Sequence, residues 1–453
     1  MDAIVFPPVL LGPLAPTLVV VVAAALVLVL DILPRPLPRE VPAMVALAGM
    51  VGALLATLAR WSSPERTFRD MVVLDNFALF FNVVICYAGA LIVLLSMDYL
   101  RRTGAESGEY WALVLFSTAG MMLLAAGEAA MKYFLLGAFA SSFLLYGIAL
   151  VYGATGTTNL DRIAAAVASR PRDPLFVIGL GLTMVGFGFK ISSVPFHMWV
   201  PDVYQGAPTS VTALIATGSK AGAFAALIRV LMVTLRGVPP DWAALLWVIA
   251  AVTMTVGNVV ALAQSNLKRM LAYSSIAHVG YMLVGLVAGG IGGASAVLFY
   301  LLAYTFTTAG AFGVITLCER ARGEAVEASD YAGLARRHPV LAVTLALFLM
   351  SLIGIPPLAG FVGKFYVFGA AVRAGYVWLA VIGVLNSAAA AYYYLRIIVY
   401  MYMREPEGSA TTYASSFAGA LALGIALLAI VILGVIPAPF VDLAQAAVAP
   451  LLR

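Results

Sequence analysis

The chain has 453 residues, of which 63% are hydrophobic and only 10% are charged, and its formal net charge is +5. A soluble domain needs far more polar surface than this, so the composition excludes an ordinary soluble protein. The basic residues lie in short loops, which suits a membrane surface and argues against binding to nucleic acid.

Long apolar runs recur along almost the whole chain. A hydrocarbon core of about 30 Å needs about 20 apolar residues per helix, and a backbone in lipid must form its hydrogen bonds within its own segment. The runs are continuous rather than short and alternating, so we predict an all-α polytopic membrane protein and not a barrel. Thirteen transmembrane helices are predicted, near residues 14–33, 41–59, 75–97, 110–126, 130–153, 174–194, 210–235, 242–263, 270–290, 294–317, 340–373, 376–401 and 416–436.

Two of these helices are predicted to be broken by proline. The segment 340–373 is too long for one straight span, and the stretch GIPPLAG (354–360) lies at its middle. Proline removes a backbone donor and clashes with the preceding turn. A second candidate break lies at Ser192–Pro195, directly after Lys190.

A weak internal repeat relates the two halves of the chain. Residues 129–147 match residues 295–313 without gaps, and each copy leads toward a proline-broken helix that carries a lysine, Lys190 or Lys364. Paired, interrupted hydrophobic segments in corresponding halves indicate a transport site near the midplane of the membrane. The alternative is chance similarity among apolar helices.

The repeat predicts four regions and exposes an anomaly. Two helices precede the second copy after the central loop, but only one precedes the first copy, so one helix is missing near Ala126–Glu128. The predicted regions are 1–104 (about three N-terminal helices), 105–236 (the first repeat, incomplete), 237–404 (the second repeat) and 405–453 (a C-terminal helix and tail).

Titratable residues inside apolar runs are the candidate functional groups. A charged side chain at the bilayer centre costs at least about 2.5–3.5 kcal/mol, so such residues face a polar cavity or a partner. Burial disfavours the ammonium form of lysine and a nearby carboxylate favours it, so a buried lysine with a movable partner can load and release a proton. This pattern indicates a proton relay bridged by water. The candidates are Lys190, Lys220, Lys364, His278, Lys132 and Glu128.

Each candidate also has a structural interpretation. A lysine near a helix end can extend to the membrane interface, which applies most to Lys132 and least to Lys220. His278 can be a core histidine whose hydrogen bonds are satisfied. Arg229 and Arg396 are expected to anchor helices or to pair with carboxylates.

The sequence predicts no cofactor. Cys86 and Cys318 lie far apart in apolar segments and lack the spacing of zinc, iron–sulfur or haem sites, so they are interpreted as buried small residues. No phosphate-binding loop or nucleophile elbow is found, and we predict that the chain carries out no redox chemistry by itself.

Two long motifs are the most specific in the chain: residues 186–231, which contain FKISSVPFHMWVPDVYQGAP, and GIPPLAGFVGKFYVF (354–368). Together with the segments 75–100, 110–126, 265–286 and 391–403 they cover nearly the whole chain. These motifs resemble the antiporter-like membrane subunits of respiratory complex I, the NADH:quinone oxidoreductase. The YQGAP ending is similar to the subunit N branch, called subunit 2 in mitochondria.

The resemblance implies fourteen helices with two inverted five-helix repeats, and proton translocation coupled to distant quinone reduction. By its motifs, Lys190 corresponds to the lysine of the first broken helix, Lys220 to that of the next helix, and Lys364 to the group at the exit side. The histidine of AYSSIAH corresponds to His278, and the pair in EAAMKY corresponds to Glu128 and Lys132.

The resemblance also implies a location and partners. The expected location is the bacterial inner membrane, and the chain is expected to cross it many times. The expected partners are other complex I membrane subunits, including a neighbouring antiporter-like subunit and small membrane subunits, together with lipid.

The chain departs from this family at one place. The family has a helix before EAAMKY that carries a glutamate partner for the first broken-helix lysine, and here MMLLAA runs directly into GEAAMKY. Either the 453-residue chain lacks residues of the natural protein, or the gene carries a real deletion, or Glu128 takes the partner role. Without a nearby carboxylate, the ammonium form of Lys190 is expected to be disfavoured.

Two other functions stay open at this level. One is a subunit of an Mrp-type cation/proton antiporter or of a membrane-bound hydrogenase, because these relatives share the broken helices and the lysines. The other is a membrane scaffold that no longer pumps.

Overall fold

The computed structural model describes residues 12–32, 38, 40–61, 65–67, 72–103, 107–126, 140–170, 172–207, 209–235, 241–318, 326–405 and 417–452. Within these ranges nearly all residues are helical, and ten helical stretches are long and apolar enough to cross a membrane. The prediction of a helical, multi-pass membrane protein is therefore confirmed, whereas a short two-stranded hairpin was not predicted. The total of thirteen spans and the four predicted regions stay predictions.

The N-terminal half contains ten described helices and one short hairpin. The helices are α1 (Ala15–Ile32), α2 (Val41–Leu58), α3 (Asn76–Thr103), α4 (Gly108–Ala126), α5 (Ala140–Thr155), α6 (Leu160–Ser169), α7 (Pro174–Ile191), α8 (Trp199–Gly206), α9 (Thr209–Leu214) and α10 (Lys220–Thr234). A π-helical turn, Ile215–Ser219, joins α9 to α10. Strands β1 (Glu65–Thr67) and β2 (Val72–Leu74) pair antiparallel.

The C-terminal half is built around two long helices and a second broken helix. Its described helices are α11 (Asp241–Leu262), α12 (Leu267–Ala288), α13 (Gly290–Cys318), α14 (Leu334–Arg337), α15 (Pro339–Ile353), α16 (Ala359–Arg373), α17 (Val377–Met403), α18 (Phe417–Val435) and α19 (Ala438–Val448).

Helix α6 was not predicted. It lies in the polar connection between α5 and α7, and its buried residues are Leu160, Ile163 and Val167. Apolar residues spaced three and four apart form one face of a helix, so the chain folds here although the segment is too short and too polar to span a membrane. Asn159 caps this helix by accepting a hydrogen bond from the Arg162 backbone N–H at 2.9 Å.

Helix α13 lies at the centre of the described helices. Every residue from Gly293 to Cys318 is buried, and the helix packs against α3, α9, α12, α15, α16, α18 and α19. A helix that is apolar on all sides must be surrounded by protein or lipid. By contrast, α1, α2, α7, α11, α17 and α18 bury only about one face and direct large apolar side chains outward, as lipid contact requires.

Both predicted breaks are present. Helix α7 ends before Ser192, which has a left-handed φ of 71°, and the chain becomes helical again at α8. Helix α15 ends before Gly354, which has a φ of 94°, and the chain becomes helical again at α16. A left-handed residue ends a helix, and the prolines that follow prevent it from continuing. The two breaks are therefore built alike.

Helix α18 holds the second break in position through Gly434. A Cβ atom added at Gly434 would meet the Pro357 carbonyl oxygen and lie 2.8 Å from the Leu358 carbonyl carbon, whereas a Cβ at Gly424 on the same helix would meet nothing within 4 Å. The break therefore depends on close backbone contact with α18.

Replacement of this glycine is expected to disturb the break. Because overpacking typically costs about 1–3 kcal/mol, Gly434→Ala should lower the free energy of unfolding by about that amount. Thermal unfolding of the protein in detergent measures the change, with Gly424→Ala as the matched control. Equal stability of the two variants would contradict the packing of α18 on the break.

Candidate functional site

Lys220 is buried inside the helix bundle. It is the first residue of α10, directly after the π-helical turn, and its side chain is only 1% exposed. Its Nζ donates to the Ser275 carbonyl oxygen at 3.2 Å and also to the Ser275 Oγ. The ammonium group thus bonds to α12, and π-helical turns of this kind frequently occur at functional sites.

The Ser275 hydroxyl connects Lys220 to two tyrosines. Tyr304 on α13 donates its hydroxyl hydrogen to Ser275 Oγ at 2.7 Å. The hydroxyl of Tyr204 on α8 lies 3.4 Å from the same atom. All three side chains are buried. One serine oxygen therefore links four helices: α8, which is the second half of the first broken helix, and α10, α12 and α13.

His278 lies one helical turn beyond Ser275 on α12. Its Nδ1 lies 2.8 Å from the Tyr300 hydroxyl and its Nε2 lies 3.3 Å from the Tyr394 hydroxyl. A neutral imidazole has one donor and one acceptor nitrogen, so one tyrosine donates to the ring and the other accepts from it. The imidazole is therefore hydrogen-bonded at both ends, as the structural interpretation of a buried histidine also requires.

Lys364 extends back across the second break. It lies on α16 and is 5% exposed, and its Nζ donates to the carbonyl oxygens of Leu352 at 3.1 Å and Ile353 at 2.8 Å. These carbonyls belong to the last turn of α15, where they have no partner within the helix and carry the negative end of the helix dipole. The Tyr281 ring lies beneath the amine, with its centroid 4.7 Å from Nζ.

A cavity lies between the histidine and the second break. Thr307 and Ser351 both line it and are hydrogen-bonded to each other, with their hydroxyl oxygens 3.1 Å apart, and Ser351 Oγ accepts from the Gly360 backbone N–H at 3.2 Å. The cavity is lined by residues that include His278, Tyr300, Tyr304, Thr307, Ser351 and Leu352. The cavity therefore borders Tyr304, which donates to Ser275, and Leu352, whose carbonyl oxygen accepts from Lys364.

The remaining predicted site residues lie elsewhere. Lys190 is in the last turn of α7, immediately before the first break, and is half-buried. Glu128 and Lys132 lie outside the described residues. The structure therefore brings together Lys220, His278 and Lys364, and the roles of all six candidates stay predictions.

Sequence reasoning missed the hydroxyl groups that join these residues. Ser275, Tyr304 and Tyr394 were not singled out, although Ser275 precedes His278 by three residues and so shares its helix face. A second omission is Lys268, which is fully buried and donates from Nζ to the Ala207 carbonyl oxygen at 2.8 Å. Polar residues inside an apolar run were the available signal, but hydroxyl side chains are common in membrane helices and do not stand out.

The two arginines behave as expected. Arg229 forms a two-point ion pair with Asp75, at 3.0 Å and 3.3 Å, which ties α10 to the start of α3. Arg396 on α17 donates to the Leu262 and Gln264 carbonyl oxygens at the end of α11. Both arginines therefore anchor helices.

The described residues hold no cluster of three or more histidine, cysteine, aspartate or glutamate side chains that could bind a metal ion. Cys86 and Cys318 are both buried.

The fold and the site define a polytopic membrane protein that holds buried amines beside two broken helices. Residues 109–389, more than half of the chain, match the family described as NADH:quinone oxidoreductase/Mrp antiporter, transmembrane. The chain belongs to this family.

Among curated proteins, the chain is 47% identical to NADH-quinone oxidoreductase subunit N of Trichlorobacter lovleyi, with 90% of each chain aligned. It is 43% identical to the subunit N of Chloroflexus aggregans, with 98% of each chain aligned. Among solved structures it resembles a chain of respiratory complex I from Thermus thermophilus, with a TM-score of 0.80 and 35% identity over 95% of this chain and 99% of that one.

The alignment with the Chloroflexus protein is longer than this chain. It extends over 484 positions, whereas the chain has 453 residues. That relative therefore has residues at positions where this chain has none, although nearly all of both chains is aligned.

Proposed function

We propose that this chain is a proton-translocating membrane subunit of an NADH-quinone oxidoreductase complex. In this proposal protons move through Lys220, His278, Lys364, the buried hydroxyl groups and water, driven by quinone reduction in another subunit. Lys190, Glu128 and Lys132 take part on the side of the first repeat. The chain holds no cofactor and carries out no redox step itself.

The proposal rests mainly on the buried hydrogen-bonded path from Lys220 to the cavity beside Lys364. Among the described contacts, the acceptors of both amines are hydroxyl and carbonyl oxygens. A serine hydroxyl accepts from an ammonium group and can donate to a neutral amine. The Lys220 site therefore provides a hydrogen bond in both protonation states, as a group that cycles a proton requires.

The relatives support the proposed setting. The curated relatives are named as subunits of NADH-quinone oxidoreductase, and the similar solved structure is a respiratory complex I. We propose the bacterial inner membrane as the location. The proposed partners are other membrane subunits of the complex, including a neighbouring antiporter-like subunit and small membrane subunits, and lipid.

We further propose that the first of two inverted repeats lacks one helix next to Ala126. The 484-position alignment supports missing internal residues. About forty residues, one helix with its loops, would restore the fourteen helices of the resembled family. Genomic DNA across Ala126–Glu128 tests this directly, and a coding segment of about that length is expected. If the DNA instead encodes Ala126–Glu128 without an insertion, the two remaining explanations are a true deletion in the gene or a partner role for Glu128.

Sodium dependence and proton flux distinguish the alternative functions. The family description itself includes Mrp antiporters, so a cation/proton antiporter or membrane hydrogenase subunit is the second candidate. Sodium-dependent proton flux would favour that candidate. An assembled complex that oxidises NADH without proton flux attributable to this subunit would favour a scaffold.

The central experiment replaces Lys220 by alanine in the complete complex reconstituted in lipid vesicles. We expect proton uptake per NADH oxidised to fall and the coupled turnover to drop at least about tenfold, since a positioned acid–base group commonly contributes more than this. The control is Arg373→Ala, which removes an exposed cation from α16. Unchanged proton uptake in the Lys220 variant would overturn the proposal.

A further inference from the structure

We propose that the Ser275 hydroxyl transfers protons between Tyr304 and Lys220, and so delivers protons from the cavity to this lysine. This inference rests on the proposed function and assigns a further residue to the same path. No part of it depends on Lys190.

The geometry places Ser275 Oγ between a proton donor and an amine. The Tyr304 hydroxyl donates to Ser275 Oγ at 2.7 Å, and the Lys220 amine is hydrogen-bonded to the same oxygen. Tyr304 also lines the cavity beside the second break. The three groups therefore form an unbroken chain from the cavity to Lys220 without an intervening gap.

The transfer balances in protons and bonds. A proton that enters the cavity on water protonates the Tyr304 oxygen as the Tyr304 O–H proton passes to Ser275 Oγ. The Ser275 O–H proton passes in turn to the lone pair of the neutral Lys220 amine. One O–H bond of the protonated water breaks, one O–H bond is broken and re-formed at each hydroxyl, and one N–H bond forms, so the net change is one proton moved from the cavity to Lys220.

The observed hydrogen bonds correspond to the protonated amine after a delivery. Ser275 Oγ accepts from both the Lys220 amine and the Tyr304 hydroxyl. Immediately after a transfer the Ser275 hydrogen faces Tyr304, so the observed state is reached when both hydroxyls have turned, and the Tyr204 hydroxyl, at 3.4 Å, provides a partner for Ser275 meanwhile. Once the amine has released its proton, the Ser275 hydrogen turns to the Nζ lone pair and the next transfer follows.

The obvious competing role for Ser275 is purely structural, as a buried partner that holds α12 against α10 and α13. The two roles predict different effects when the Ser275 hydroxyl is removed or is kept on a different side chain. A structural role depends on packing and assembly, whereas transfer depends on an exchangeable proton at this position.

The test compares Ser275→Ala and Ser275→Thr in the complete complex in lipid vesicles. For Ser275→Ala we expect the coupled proton uptake to fall about tenfold or more, because a positioned proton-transfer group commonly contributes at least that factor to a rate, and the complex to assemble normally. Ser275→Thr keeps the hydroxyl and should recover at least about half of the uptake.

Thr305→Val is the matched control. It removes a buried hydroxyl one residue from Tyr304 that bonds only the Leu301 carbonyl of its own helix, at 2.8 Å, among the contacts described. We expect its uptake to equal that of the wild type. If Ser275→Ala pumps normally, or if Ser275→Thr is as impaired as Ser275→Ala, the transfer role is wrong.

The outcome is separable from the proposed function. If Lys220→Ala abolishes uptake while Ser275→Ala does not, only the serine relay fails. If Lys220→Ala has no effect, the proposed function fails first.

Discussion

Lys364→Met is expected to stop proton delivery at the second break while the complex still assembles. Methionine keeps the apolar stem but removes the amine that bonds the Leu352 and Ile353 carbonyls. Loss of a positioned acid–base group should lower the coupled proton uptake at least about tenfold, and up to about a hundredfold. Proton uptake per NADH oxidised in lipid vesicles measures the effect.

The control for this variant is on the same helix. Arg373→Ala removes an exposed cation from the last turn of α16 and should leave uptake unchanged. Native gels of both variants test for assembly, since Lys364→Met leaves the Leu352 and Ile353 carbonyls without the lysine as a donor, which also weakens the break. Equal uptake in Lys364→Met and Arg373→Ala, with both complexes intact, would show that Lys364 carries no proton.

Asp75→Ala is expected to cause the largest loss of stability. Asp75 receives two hydrogen bonds from the buried Arg229 and also caps α3 by accepting from the Ala78 backbone N–H at 2.8 Å. Removing one partner of a buried ion pair leaves a charge without compensation, which typically costs about 3–5 kcal/mol. Thermal unfolding in detergent should show the loss, and less of the variant should assemble.

The ion pair offers its own internal test. A double variant, Asp75→Leu with Arg229→Met, removes both charges together and should recover much of the stability, because a buried pair replaced by apolar groups is often neutral. Glu109→Ala, which removes an exposed carboxylate from the first turn of α4, is the control. A single Asp75 variant as stable as the Glu109 variant would mean that the pair contributes little.

The prediction of broken helices from sequence worked because the chemistry is local. Glycine and proline within GIPPLAG and the SSVP stretch act on the backbone of their own turn, and the structure ends α15 at Gly354 and α7 at Ser192. The same locality explains the error between α5 and α7. A short amphipathic helix such as α6 forms because one face packs on neighbours, and those neighbours are not evident from composition.

The candidate site was predicted only in part. Lys220 and Lys364 could be found because an amine within an apolar run is costly anywhere in lipid, whatever surrounds it. Which groups would meet them was not evident. Ser275, the partner of Lys220, lies 55 residues away on α12 and meets it only when the helices have packed. The partners of Lys364 are the Leu352 and Ile353 carbonyls, 12 and 11 residues away, which the lysine reaches only because the chain folds back at the second break.

By itself, the sequence determined that this chain lies in a membrane as a helical bundle with two broken helices, because hydrophobicity and proline chemistry act residue by residue. Only the tertiary structure decided that Ser275 and Tyr304 link Lys220 to a cavity that Leu352, a partner of Lys364, also lines. The physical reason is that a hydrogen bond requires donor and acceptor to lie within about 3 Å, and that distance is set by how α10, α12, α13 and the second break pack together.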